Sequence, residues 1–170
     1  MTLTSVLPTL RRSLPDPLTR DAWPAGAAAT PGELAVSGVS VARFVELCGT
    51  PAVMTAPAVV PLSGGVASPT ATTSIVVASV QRIDDGPVPV LVMDASYAAC
   101  APAWTYARVV GRICHRADAR FAVAGAEGTP FAGVALMLPA DIEVGDLIAA
   151  PCPGALAVGD VRPSVAGRAL

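Results

Sequence analysis

The residues most able to do chemistry lie in one stretch, 104–118, reading WTYARVVGRICHRAD. It holds His115, the only histidine of the 170-residue chain, with Cys114 beside it, three of the eleven arginines and Asp118. Cys114 and His115 could form a thiolate–imidazolium pair, with Tyr106 as a further hydrogen-bonding group, so these three are the candidate catalytic residues. On a strand, adjacent side chains point to opposite faces, so a Cys114–His115 pair needs a bulge or turn. Without one they are a half-buried thiol and a surface histidine. Arg108 and Arg112 fall on the strand face of Cys114, where a cation lowers a thiol pKa; their alternative is a solvated face or a dimer contact. Tyr97, Trp104 and Tyr106 cluster in a chain that is only 4% aromatic. They could wall a pocket, since aromatics combine large contact area with a polar tip, or simply pack in the core. Asp94 ends an apolar run and either binds substrate or caps the following turn. The candidate substrate-binding residues are therefore Tyr97, Trp104, Asp94, Arg112 and Asp118. One histidine and four scattered cysteines (Cys48, Cys100, Cys114, Cys152) do not make a common zinc site, and no metal is expected.

The elements that must position these residues read as β-structure. Residues 1–31 are rich in Pro, Ala and Thr and are expected to be an irregular leader, packing through Leu7, Leu10, Leu14 and Trp23. Residues 33–36 predict a short strand. Ser40 is a suitable N-cap for a helix over 41–48, whose apolar face is Val41, Phe44, Val45 and Cys48, with Gly49 as its C-cap. Short extended pieces are expected at 52–54 and 57–61, then a loop over 62–70. Residues 72–83 (TTSIVVASVQRI) predict a long strand. Asp84-Asp85-Gly86 predicts a turn and 88–93 the returning strand of a hairpin. Residues 104–115 are expected to form one strand, with Tyr106, Arg108, Val110, Arg112 and Cys114 on one face. Further strands are expected at 119–124, 131–137, 147–150 and 155–158, before a polar tail over 161–170. The fold class is all-β: a small β-barrel or sandwich of about eight strands with one short helix, spanning 32–160.

Composition narrows the chemistry. Hydrophobic residues make up 53% of the chain and charged residues 14%. So few charges leave apolar surface to be covered, and a homodimer is expected. The net charge of −2 provides no basic face for nucleic acid. The eleven basic residues are all arginine, so no lysine Schiff base and no Walker-type phosphate lysine can form. The N-terminus lacks an apolar signal core, and no apolar run reaches the ~18 residues of a membrane helix. The expected location is cytoplasmic, with no membrane association and reduced cysteines.

Several motifs in series resemble the β-domain of the fold-type III pyridoxal-phosphate decarboxylases, diaminopimelate decarboxylase in particular. GELAVSGVSVARFVELCGTP (32–51) is similar to the family's opening strand and helix with its tyrosine-glycine-threonine-proline motif. PLSGGVAS (61–68) stands where the family has glutamate-proline-glycine-arginine, and VLVMDAS (90–96) where it has valine-aspartate-glycine-glycine. YARVVGRICHRAD (106–118) is similar to the glycine-arginine-x-cysteine-glutamate-serine-x-aspartate segment. DIEVGDLIAAPCPGAL (141–156) is similar to the closing proline-glycine-aspartate strand. The resemblance implies a β-domain standing without the (β/α)₈ barrel that carries the cofactor lysine, a barrel missing between Met54 and Pro61.

It implies that Cys114 stands at the family's general acid. Asp94 and Asp118 stand at family aspartates, and Tyr106 at the tyrosine after the substrate-carboxylate arginine. That arginine is replaced by the Ala101-Pro102 region, the glutamate after the cysteine by His115, the motif arginine by Gly65 and the cofactor-facing tyrosine by Leu156. Pyridoxal-phosphate decarboxylation is therefore not expected, and no cofactor is assigned.

Three function classes follow. The first is a cofactor-independent enzyme that binds an apolar small-molecule intermediate and promotes cyclisation, isomerisation or cycloaddition by holding the reacting atoms together. The second is an accessory subunit docking on a separate barrel protein. The third is a binding module for an apolar small molecule. The first is preferred, because charged substrate contacts of the family are lost while its β-domain is kept.

Overall fold

The computed structural model describes residues 18–163. At its centre is the run from Ile75 to Ala78, apolar in both phases of a two-residue repeat. Such a run is stable only where both faces of a strand are covered. It lies in β5 (Ala67–Asp84). Val76, Ala78 and Val80 point into one core, and Ile75 and Val77 into another, all at 0–1% exposure.

The chain enters through a 3-10 turn (Arg20–Ala22) and Trp23, which is buried. β1 (Ala27–Thr30), β2 (Glu33–Val36) and β3 (Val39–Ser40) form a three-stranded antiparallel sheet. β1 lies inside the stretch expected to be irregular: its run of alanines carries no β signal, and pairing with β2 makes it a strand. Leu7, Leu10 and Leu14 lie outside the described residues. α1 (Val41–Cys48) follows, with Ser40 accepting from the Arg43 amide as its N-cap. Val41 and Val45 are buried and Phe44 packs beside them, but Cys48 is exposed, its thiol donating to the Phe44 carbonyl at 3.0 Å instead of entering the core.

β4 (Ala52–Val59) is one strand rather than two pieces, since Pro57 falls on it without ending its pairing with β5. β5 also begins at Ala67, inside the expected loop, because β4 supplies a partner that far out. The hairpin is observed: β6 (Val90–Met93) returns antiparallel, with Ile83 opposite Leu91. A second 3-10 turn (Trp104–Tyr106) precedes β7 (Arg108–Val110). Then come β8 (Asp118–Ala124), β9 (Leu136–Pro139), β10 (Leu147–Pro153) and the single helical turn α2 (Val158–Val161). β9 starts later than expected, and α2 overlaps the stretch where a final strand was expected. A backbone bond from Asp160 N to the Ala157 carbonyl and one from Arg162 N to the Val158 carbonyl coil that stretch.

The larger sheet runs β7-β10-β5-β6-β8-β9, with β4 also on β5, and curls into a nearly closed barrel. The fold class is thus the expected all-β one, with ten strands and one main short helix. The barrel interior takes Val76, Leu91, Met93, Phe121, Val123, Leu136 and Leu138. The second core lies outside the barrel wall, where Ile75, Val77, Val110 and Ala149 meet Leu34, Val41 and Trp23. Among the described residues no helix is long and apolar enough to cross a membrane.

Candidate functional site

The expected strand over 104–115 is broken. Alternation holds only through β7, where Val109 faces the barrel interior and Val110 the outer core. At Gly111 the backbone turns left-handed (φ 91°), a conformation that costs glycine little. Residues 111–117 then form a loop that carries Arg112, Cys114, His115 and Arg116 to β8.

Arg112 anchors this loop. Its Nε donates to Asp146 Oδ1 and its Nη2 to Asp146 Oδ2, both at 2.6 Å, and Nη2 also donates to the Asp141 carbonyl. The fork-to-carboxylate geometry is the strong form of an ion pair, and the Asp146 bonds push the guanidinium pKa further up. Asp141 completes the clasp. Its Oδ2 accepts from the His115 amide at 2.8 Å and stands 3.6 Å from Arg112 Nη1. The His115 amide, foremost, holds the Asp141 carboxyl below its ordinary range. On its other side the loop rests against the β1–β2 turn, where Gly111 N donates to the Gly32 carbonyl at 3.0 Å. A Cβ on Gly32 would lie 2.9 Å from Ile113 Cγ1 and 3.1 Å from the Arg112 carbonyl carbon, so only glycine permits this approach.

The clasp fixes Cys114 at the lip of a cleft of about 400 Å³. The cleft is lined by Ala107, Arg108 and Val109 of the β7 side, Met137, Leu138 and Pro139 of β9, the loop residues Cys114 and Arg116, and Asp118, with Pro31 at the rim. It is the seam of the barrel. β7 pairs with β10 alone and β9 with β8 alone among the described residues, so no ladder joins β7 to β9. Val109 and Leu138 form an apolar floor, and the arginines and Asp118 a charged mouth.

The thiol of Cys114 is not activated. Burial pushes its pKa up. Arg112 pulls it down, but Asp141, Asp146 and Asp118 add to the rise, which favours the neutral S–H of a half-buried thiol over the thiolate–imidazolium alternative. A neutral thiol can donate a proton or a hydrogen bond; it is a poor nucleophile.

Of the other sequence candidates, Asp118 lines the same cleft as Cys114. His115 is exposed on the loop and is not among the cleft's lining residues. Arg112 acts through the clasp. Tyr106 stands in a different groove, with Ala58, Val59 and Pro153. Tyr97 and Trp104 pack edge to face at 4.9 Å between ring centroids, and both meet Phe131; Tyr97 is buried in the barrel core, and Trp104 and Phe131 pack partly buried against it. Burial pushes the Tyr97 phenol pKa up, as expected for a core residue. Asp94 is structural: one oxygen accepts from the Ser79 amide at 2.8 Å and the other from the Thr50 hydroxyl. The remaining barrel thiols are Cys100 and Cys152; burial, then Cys152 beside it, holds Cys100 up to about 12.

Sequence reasoning passed over Arg116, Met137 and Leu138. Arg116 could be found by its place two residues beyond Cys114. The β9 residues could not, because only the barrel's curvature brings them opposite β7. The residues present do not fit pyridoxal phosphate. No lysine exists to hold its aldehyde, and Leu156, where the resemblance has a tyrosine, has no side-chain polar group, while its backbone amide donates to Ser74 Oγ at 3.0 Å and its carbonyl accepts from the Thr55 hydroxyl at 3.4 Å. No family model matches the chain, and a search of curated proteins finds no significant match.

Proposed function

We propose that the protein is a small-molecule binding module whose site is the Cys114 cleft, and that its ligand has an apolar body and an anionic head. One observation carries this reading: Arg108, Arg116 and the neutral thiol of Cys114 share a cleft with Val109, Met137 and Leu138. The volume is within the range of small-ligand sites, and the lining sets charged and polar groups beside apolar ones. The charged mouth modifies the sequence-based expectation of a wholly apolar ligand. The mostly β architecture and the strand-then-α1 opening support the further reading that the domain derives from the decarboxylase β-domain without its barrel. A homodimer and a cytoplasmic location belong to the same proposal.

A second reading is favoured by the thiol itself. Burial keeps Cys114 protonated, so it could give a proton to a bound ligand and promote a cofactor-free isomerisation or cyclisation, with the cleft holding the reacting atoms together.

Decanoate is a suitable first probe, in calorimetric titration of the full chain. A ligand of its size reaches about 4 kcal/mol, a Kd of about 1 mM. One-to-one binding that weakens in Arg116→Gln is expected. No binding, or binding indifferent to Arg116→Gln, would overturn the proposal. Cys114→Ala separates the two readings: it changes only affinity in the first and lowers turnover of a bound substrate in the second.

A further inference from the structure

No charged residue and no histidine falls between Glu46 and Arg82. This stretch holds β4, most of β5 and the turn 60–66 that joins them. β10 pairs with β5 only from Thr73 onward, so among the described residues β5 from Ala67 to Thr72 has β4 as its one partner. The two strands thus continue past the barrel as an uncharged, two-stranded arm. Exposed strands are ordinarily guarded by charge against association, and this arm carries no such guard.

The turn at the end of the arm is braced. Arg20 Nη1 donates to the Gly64 carbonyl at 2.7 Å, and Asp21 Oδ2 accepts from the Leu62 amide at 3.0 Å. Between these bonds Leu62 is held left-handed, at φ 62°. Leucine rarely adopts that conformation, which persists only where the surroundings impose it. Here it obtains no burial: the Leu62 side chain is 96% exposed, with Val60 and Val66 also exposed beside it. Beside this apolar tip lies a groove of about 730 Å³, walled by Ala58, Val59, Pro61, Ala71, Tyr106 and Pro153 among others. Its one charged lining residue is Asp21, which already holds the Leu62 amide. The groove therefore offers an apolar side chain contact without a charge to desolvate.

Tip and groove meet at Pro61 and so lie side by side on one surface. Such a surface is self-complementary: about a twofold axis, the tip of each copy faces the groove of the other. The absence of charge along the arm removes the like-charge repulsion that opposes self-association. The exposed arm and the groove lining together comprise about twenty residues, the lower bound of what a stable interface takes from each partner. A bilayer would cover the tip and leave the groove in water, whereas a second copy covers both. We propose that the partner of this surface is a second copy of the chain, in a twofold dimer where Leu62 of each copy seats in the other's groove against Tyr106. The proposal rests on the homodimer reading above and names its surface.

The test is sedimentation velocity of the full chain from micromolar to near-millimolar concentration. Two variants accompany it. Leu62→Asn removes the apolar tip with a residue that tolerates the left-handed backbone, and Ala71→Glu places a charge in the groove at an exposed position. Unchanged circular dichroism shows that both keep the fold. The expected result is a monomer–dimer equilibrium in the parent. Leu62→Asn should weaken it about a hundredfold or more, since the dimer buries that side chain twice, and Ala71→Glu should weaken it similarly. Mixing the two variants should give a heterodimer tighter than either variant alone, because one of the two reciprocal contacts is then intact. If the parent is monomeric throughout, this proposal and the homodimer reading fail together. If the parent dimerises and Leu62→Asn dimerises equally well, the homodimer reading stands and this surface is wrong. If mixing gives no gain, the tips pack on each other and the tip-in-groove assignment is overturned. If a monomeric parent sediments with phosphatidylcholine vesicles and Leu62→Asn does not, the tip is a lipid anchor, which also overturns the proposal.

Discussion

β5 and the seam are the two extremes of one barrel. β5 has β4 and β10 hydrogen-bonded along it and a core against each face. β7 and β9 each have one strand partner among the described residues and meet at a cleft. The wall spends its residues on burial, and Ile75, Val77 and Ala78 are fully excluded from solvent. The seam keeps two arginines, a thiol and an aspartate at its lip and leaves Met137 60% exposed. Stability and recognition are thereby separated. A barrel that closed fully would gain a ladder and lose the cleft.

The largest expected effect lies at the wall. Ile75→Ala removes a buried branched side chain from a site that neighbouring strands prevent from collapsing, and should cost about 2–5 kcal/mol. At the seam, Met137→Ala should stay within about 0.5 kcal/mol, as exposed substitutions do. Urea unfolding measures both. The first should lower the midpoint by roughly 1–2 M and the second scarcely move it. Equal costs would mean that the seam is as integral to the fold as the wall, and the division drawn here would fail.

The same contrast governs what was legible in the sequence. β5, the β5–β6 hairpin and α1 were readable because each is set by local pattern: a β-branched run, an Asp-Asp-Gly turn, and a Ser40 cap ahead of a helical apolar face. β1 was missed because an alanine run has no β signal until β2 pairs with it. Residues 104–115 were misread because their alternation is real only through Val110, and Gly111 then turns the chain. Gly111 thereby takes Arg112 and His115 off the expected strand face, and the 3-10 turn over Trp104–Tyr106 takes Tyr106 off it. Cys114 and Asp118 share the cleft for a reason the sequence does not contain: the Arg112 clasp on Asp141 and Asp146, residues about thirty positions away. Leu138 and Met137 reach the site only through the order of six strands, which no local pattern encodes.

The clasp is where the two regions communicate, and its loss sharpens the comparison. Arg112→Gln leaves Asp146, whose side chain is only 10% exposed, without its cation. Because the Arg112 side chain is itself 32% exposed, the cost is that of a charged hydrogen bond softened by solvent, about 1–2 kcal/mol. That is less than Ile75→Ala, but its consequences are local. Hydrogen exchange at the His115 amide, which donates to Asp141, should quicken, and ligand affinity at the cleft should fall. A wall variant of matched stability should leave both unchanged. If Arg112→Gln alters global stability alone, the clasp does not position the cleft.

The smallest effect expected is a pH dependence at Asp141. The His115 amide, aided by Arg112, favours its ionised form in the folded protein, so its folded pKa lies below the ordinary carboxylate value of about 3.9. Between the two values the unfolded chain binds more protons, and stability rises with pH. The contribution of Asp141 is thus fully present above the ordinary value and is lost as pH falls through the folded one. Asp141→Asn should therefore unfold at lower urea than the parent at pH 7, and the gap should narrow towards pH 3 or below. Asp84, also held low but by an exposed neighbour, Arg82, on the β5 hairpin, is the matching control away from the seam. Asp84→Asn should show the same narrowing without changing His115 amide exchange. If the Asp141→Asn gap is constant with pH, the charge of that carboxylate does not support the loop that carries Cys114.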